Sequence, residues 1–149
     1  CFIKGTQVWT KVGLRPIESI ERGDLVLSQN LETGDLKYSP VICRTVRPPS
    51  PIVKLTIDKE EIRATRGHLF WVAGTGWRMS KELERGAKVH GLRGSSGIDS
   101  AESNGEAEAY NLVVADVGTY FVGDHGFLVH DNTPRGPTQV ILPGVLAKK

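Results

Sequence analysis

Short runs of β-branched and aromatic residues, broken every few positions by Gly, Pro, Asn or Asp, confine this chain to an all-β domain. Gly23-Asp24 is a turn that feeds Val26-Leu27-Ser28, and Thr33-Gly34-Asp35 closes a hairpin onto Leu36-Lys37-Tyr38. Residues 41–46 and 52–57 are β-branched, separated by Pro48-Pro49-Ser50-Pro51, which the missing amides and fixed φ of proline set against regular structure. Lys59-Glu60-Glu61 reads as a further turn. Strands then follow at 62–65 and 69–72 around Arg66-Gly67-His68, and again at 110–115, 119–122 and 127–129. Helix is scarce: residues 79–83 hold one turn at most, with Ser80 as N-cap.

Two features organise the rest. Ser19-Ile20-Glu21-Arg22-Gly23-Asp24-Leu25-Val26 is echoed by Glu82-Leu83-Glu84-Arg85-Gly86-Ala87-Lys88-Val89, which points to two halves related by a pseudo-two-fold axis. Residues 92–108 are rich in Gly, Ser and acidic side chains, and read as a flexible loop. The expected domain is 1–132. Residues 133–149, with Pro134, Pro137 and Pro143, form a tail outside it.

The chemically rare residues stand at the two ends of that domain. Cys1 opens Cys1-Phe2-Ile3-Lys4-Gly5-Thr6, and His130-Asp131-Asn132-Thr133 closes the last apolar run. A thiol whose own backbone nitrogen carries an upstream acyl group can attack that carbonyl and turn an amide into a thioester. An asparagine side chain can close on its own carbonyl as a succinimide and cut the following bond. Each leaving amine then needs a proton donor within hydrogen-bond reach, a role suited to histidine. Thr65 and His68, bracketing a turn between strands, are candidates for it.

Ala64-Thr65-x-x-His68-x-Phe70-Trp71-Val72, Tyr110-Asn111-Leu112-x-Val114, Thr119-Tyr120-Phe121-Val122 and Leu128-Val129-His130-x-Asn132-Thr133, all following Cys1-Phe2, resemble the motifs of the Hint (hedgehog/intein) family, nearest its bacterial intein-like domains. The resemblance implies a horseshoe-like fold and autocatalytic cleavage or splicing without metal or cofactor. It gives Cys1 the acyl-shift role and His68 the distortion and protonation of the scissile nitrogen. Thr65 becomes the helper that polarises the carbonyl. Asn132 matches the cyclising residue, His130 its assistant, and Thr133 the hydroxyl that accepts the acyl chain in full splicing.

The chain departs from the family pattern at three places. Asp131 separates His130 from Asn132, so either Asp131 or Asn132 occupies the cyclising position, and a carboxylate is the poorer nucleophile of the two. Asn111 stands where many inteins carry an aspartate, and Gly118 where a histidine often precedes Thr-Tyr-Phe. These departures favour N-terminal cleavage over splicing. The segment 92–108, where larger inteins carry an endonuclease, is too short for one.

Composition narrows the alternatives. A net charge of +2 with scattered basic residues leaves no nucleic-acid footprint, and no apolar window is long enough for a membrane span. The resemblance makes the expected partners the chain's own flanking segments, acting in a monomer. A reduced Cys1 implies a reducing, cytoplasmic setting at the time of processing. Cys43 reads as a buried small hydrophobe, and His90 and His125 as solvated. Cys1, Cys43, His68 and His130 lack the close spacing of a structural zinc site. The competing reading is a non-catalytic β-rich binding module in which Cys1 is incidental.

Overall fold

The computed structural model describes residues 1–132. Twelve strands run in chain order: β1 Phe2–Ile3, β2 Gln7–Thr10, β3 Gly13–Pro16, β4 Leu25–Gln29, β5 Leu36–Ile57, β6 Glu60–Thr65, β7 Leu69–Val72, β8 Gly76–Met79, β9 Lys88–Gly91, β10 Gly94–Val114, β11 Thr119–Val122 and β12 Phe127–His130. All pairings are antiparallel, and hydrogen-bonded neighbours follow the order β10-β1-β6-β5-β4-β2-β11-β12-β9-β7-β8, with β3 on β2. The two long strands do most of the shaping. β5 begins against β4 and ends against β6, β10 begins against β9, and the two pair with each other from Val41 and Val114 out to Ile57 and Ile98.

The sequence echo corresponds to matching backbone. Ile17–Ser19 and Ser80–Glu82 are both single 3-10 turns, closed by Ile20 N–H on Ile17 and by Leu83 N–H on Ser80, each at 3.2 Å. Gly23 and Gly86 both take left-handed φ, +91° and +98°. Val41 N–H then donates to Asp24 at 2.8 Å and Ile98 N–H to Ala87 at 2.9 Å, so each turn is strapped to the long strand of its own half. The all-β class and the paired halves are thus present.

Several local expectations need correction. Residues 92–108 are not a loop: from Gly94 they belong to β10, and Ile98 to Ala107 pair with Ile57 to Ser50. The run Pro48-Pro49-Ser50-Pro51 lies inside β5, tolerated because the ladder slips its register beside it, between Ser103 and Glu106 and between Ala107 and Ala109. The β5–β6 turn is Asp58-Lys59, both with positive φ, and Glu60 is already strand. Met79, not Ser80, is the N-cap residue of the short turn, with its N–H on the Glu82 carboxylate at 2.9 Å. Cys43 is exposed, and both cysteines are free thiols. His125 is half-buried between Glu60 and Asp58, and His90 bonds Gln29 at 2.8 Å.

Phe2, Phe70, Tyr120, Phe121 and Phe127 are wholly buried. Phe2 matters most to the position of the first residue, because burying one such side chain contributes roughly 1.5–3 kcal/mol and so anchors its neighbour in the chain. It packs edge-on to Phe70 and Tyr120 while its strand pairs with both Tyr110 and Ala64. Cys1 is held at the rim of the core as a result.

Candidate active site

The turn between β6 and β7 is where the chain ends meet. β6 lies beside β1 and carries Thr65; β7 lies beside β12 and follows His68. Thr65 N–H donates to the Cys1 carbonyl at 2.8 Å, and His68 N–H closes the turn on the Thr65 carbonyl at 3.1 Å. The Cys1 nitrogen in turn donates to Thr65 Oγ1 at 3.1 Å and meets His68 Nδ1 in a short hydrogen bond. That nitrogen is a free amine here and stands in for the scissile amide nitrogen of a chain with an upstream residue.

The imidazole is fixed on every side. Its ring lies 4.2 Å from the Phe2 ring and 5.9 Å from Phe70, and the His68 carbonyl accepts from Ser80 Oγ at 3.2 Å. His68 Nε2 is buried without a hydrogen-bond partner among the described residues, a defect that costs on the order of 1–3 kcal/mol. Burial first, then the charge of the Cys1 amine and that of His130, hold its pKa well below the usual histidine value; the His130 carbonyl opposes them without reaching hydrogen-bond geometry. The Cys1 amine is pushed down to about 4, by burial first and then by the Arg47 guanidinium. At neutral pH both partners are therefore uncharged.

A pocket of about 230 Å³ opens over this pair, lined among others by Arg47, Asn111, His130, Asp131 and Asn132. Asn111 Oδ1 accepts from Tyr120 Oη at 2.6 Å and from Leu112 N–H at 2.8 Å, so its carbonyl end is committed to the wall. His130 packs its ring 5.0 Å from Trp77 and places Nδ1 2.8 Å from the Asp131 carbonyl oxygen and 3.5 Å from Asp131 Oδ1. The Asp131 carboxylate is buried, taking Val114 N–H at 2.7 Å. Gly118, at φ +67°, passes directly over it. Asn132 is exposed; its N–H bonds the Leu112 carbonyl at 2.8 Å and its Nδ2 reaches Thr45 Oγ1 at 3.2 Å.

Cys1, Thr65, His68, His130, Asp131 and Asn132 thus line one pocket. Thr133 lies outside the described residues. Arg47 and Trp77 carry no mark of a site residue in the sequence, and Tyr120 stands out there only as part of the Thr119-Tyr120-Phe121-Val122 motif. Arg47 sits among exposed positions ahead of two prolines, and no local pattern singles it out. Tyr120 follows Thr119 in a strand buried at every position, so alternation could not distinguish it.

The model of the pretoxin Hint domain family matches residues 7–132. A bacterial intein-like domain from Clostridium thermocellum, solved in solution, is 34% identical and superposes with a TM-score of 0.83 over 87% of this chain and 96% of its own. The DnaB intein of Synechocystis, 18% identical, covers 89% of this chain and 99% of its own with a TM-score of 0.76, a likeness of fold. A stretch of 118 residues, 75% of this chain, is 32% identical to the ribonucleoside-diphosphate reductase subunit beta of Aquifex aeolicus. The chain spans 16% of that protein's length, so the match joins this domain to one segment of it.

Proposed function

Since the chain belongs to the pretoxin Hint domain family, an intein-like class of autoprocessing domains, we propose that it cuts its own polypeptide in one turnover, beginning with an N–S acyl shift at Cys1. The observation that carries this reading is the contact of the Cys1 nitrogen with both Thr65 Oγ1 and His68 Nδ1. In a chain with an upstream residue, Cys1 Sγ bonds to that residue's carbonyl carbon and the carbon–nitrogen bond breaks. The thiol proton passes to the nitrogen, which leaves as an amine. His68, kept neutral by burial, is the base that receives this proton and the acid that delivers it. Thr65 Oγ1 accepts the N–H and fixes the orientation of the amide beside the imidazole. Water or an added thiol then releases the upstream segment from the thioester.

A second cut belongs to the His130-Asp131-Asn132 end, which lines the same pocket. Closure of Asn132 on its own carbonyl would free a fragment opening at Thr133, whose hydroxyl could then take the upstream chain, and closure of Asp131 would free one opening at Asn132. The reagents for both ends are side chains of the domain, and the substrates are its own flanking segments.

The experiment is a fusion with one foreign protein before Cys1 and another after Lys149, incubated with and without thiol and weighed intact. Thiol should accelerate upstream release, Cys1→Ala should abolish it, and His68→Ala should slow it roughly 100- to 10,000-fold. Thr65→Ala should cost less. A fusion that stays whole under every condition identifies a binding module instead.

A further inference from the structure

Taking the autoprocessing reading as given, we infer that the downstream cut falls between Asp131 and Asn132, with the Asp131 carboxyl as the closing group. Two contacts of one histidine nitrogen single out that bond. The carbonyl held by His130 Nδ1, at 2.8 Å, is that of Asp131. A carbonyl oxygen only accepts, so Nδ1 carries the proton in this contact and polarises the carbonyl to which Asn132 is joined. The same Nδ1 lies 3.5 Å from Asp131 Oδ1, so one donor gathers the attacking carboxyl and the carbonyl it would attack.

Asn132 is placed for neither role. Its side chain is exposed, and Nδ2, the atom that would have to attack, is turned to Thr45 Oγ1 on β5 at 3.2 Å. Its own N–H, on the nitrogen that leaves in the proposed cut, is held by the Leu112 carbonyl at 2.8 Å. Asp131, by contrast, is fixed by Val114 N–H on Oδ2 and by Gly118 lying over the carboxylate, with no Cβ in the way. Proximity and orientation of this kind lower a barrier without any new reagent.

The step balances within the chain. An Asp131 Oδ atom bonds to the Asp131 carbonyl carbon, the bond from that carbon to the Asn132 nitrogen breaks, and the nitrogen leaves as an amine with the proton supplied through His130. One water then opens the five-membered cyclic anhydride and restores two carboxyl groups on Asp131. The products are a domain ending at Asp131 and a fragment that opens with Asn132. Thr133 receives nothing in this route, so cleavage replaces ligation.

The test is the same double fusion, read by the intact mass of the downstream fragment, with upstream release measured in the same sample. A fragment opening at position 132, formed from the parent chain and with the same number of residues from Asn132→Ala, and slowed about 100-fold by His130→Ala, supports the inference. Asp131→Asn should cut the same bond faster, because a carboxamide closes a succinimide more readily, and it keeps the size of a side chain that Asp131→Ala would remove from a packed site. A fragment opening with Thr133, or loss of cleavage in Asn132→Ala, overturns it. Cleavage seen only in Asp131→Asn, or in neither form while the upstream partner is released, overturns it too and leaves the Cys1 chemistry standing. A downstream fragment opening with Asn132 without upstream release has the reverse meaning.

Discussion

The short contact between the Cys1 nitrogen and His68 has a consequence for stability that can be worked out before any cleavage is measured. In the form that opens at Cys1, burial and Arg47 push the amine from an ordinary 8.0 down to about 4. The folded-state value lies below the unfolded one, so the unfolded chain binds the extra proton. Stability is complete above the unfolded value, falls as pH drops from 8 toward 4, and falls no further below that. Between pH 7 and pH 5 this single group should cost about 2 kcal/mol, after allowance for the partial exposure of Cys1. His68, also held low by burial, adds a loss of the same sign below its ordinary value of 6.5. The comparison that isolates the amine uses two Cys1→Ala chains, one with a free first nitrogen and one that keeps upstream residues, so that the nitrogen stays an amide. Urea unfolding at both pH values should show the free-amine chain losing about 1 M more of its midpoint, since slopes of about 1–3 kcal/mol/M are usual for domains of this size. Equal losses in the two chains would refute the claim that the nitrogen is buried against the imidazole, and the proton path proposed for His68 would go with it.

Two further substitutions probe the supports of the site. Phe2→Ala should destabilise the domain by about 3–5 kcal/mol in urea unfolding, and upstream release measured at a pH and temperature where the fold survives should still fall, because Phe2 both anchors β1 and packs against His68. Gly118→Ala should cost about 1–2 kcal/mol, since a Cβ at φ +67° is strained and would sit 3.3 Å from Asp131 Oδ1; mass spectrometry should show the downstream cut slowed more than the upstream one.

How much of the fold could be read from residues alone depends on whether side chains or backbone carry the information. Buried strands announce themselves through β-branched and aromatic runs, so β6, β7, β11 and β12 were legible. The ribbon formed by the middles of β5 and β10 was not. Residues 99–106 of β10 are exposed, and they pair with residues 51–56 of β5, where Ile52, Val53 and Leu55 are buried. This part of β10 is held by its ladder to β5, with buried Ile98 at one end and Ala109 and Leu112 at the other. Hydrophobic pattern has nothing to report there, and Gly, Ser and Pro read as loop. The pseudo-two-fold echo survived because its glycines are demanded by left-handed backbone at Gly23 and Gly86, a constraint visible as residue type.

The residues that line the candidate pocket could be picked out in the sequence, but their register could not. His130, Asp131 and Asn132 are consecutive, and alternation would send neighbours to opposite faces, yet every residue of β12 before His130 is buried, so no period was available to extend. What separates Asp131 from Asn132 is tertiary: one lies beneath Gly118, the other reaches across to β5.

The strand order explains why both ends can share one histidine pair. β1 pairs with β6 and β12 with β7, and the link between β6 and β7 is the short turn bearing Thr65 and His68. Neither end can move off that turn without giving up its own ladder. The two imidazoles are consequently close enough that charge on His130 lowers the pKa of His68. A charge at the downstream histidine therefore disfavours a proton on His68, which couples the two ends through that turn.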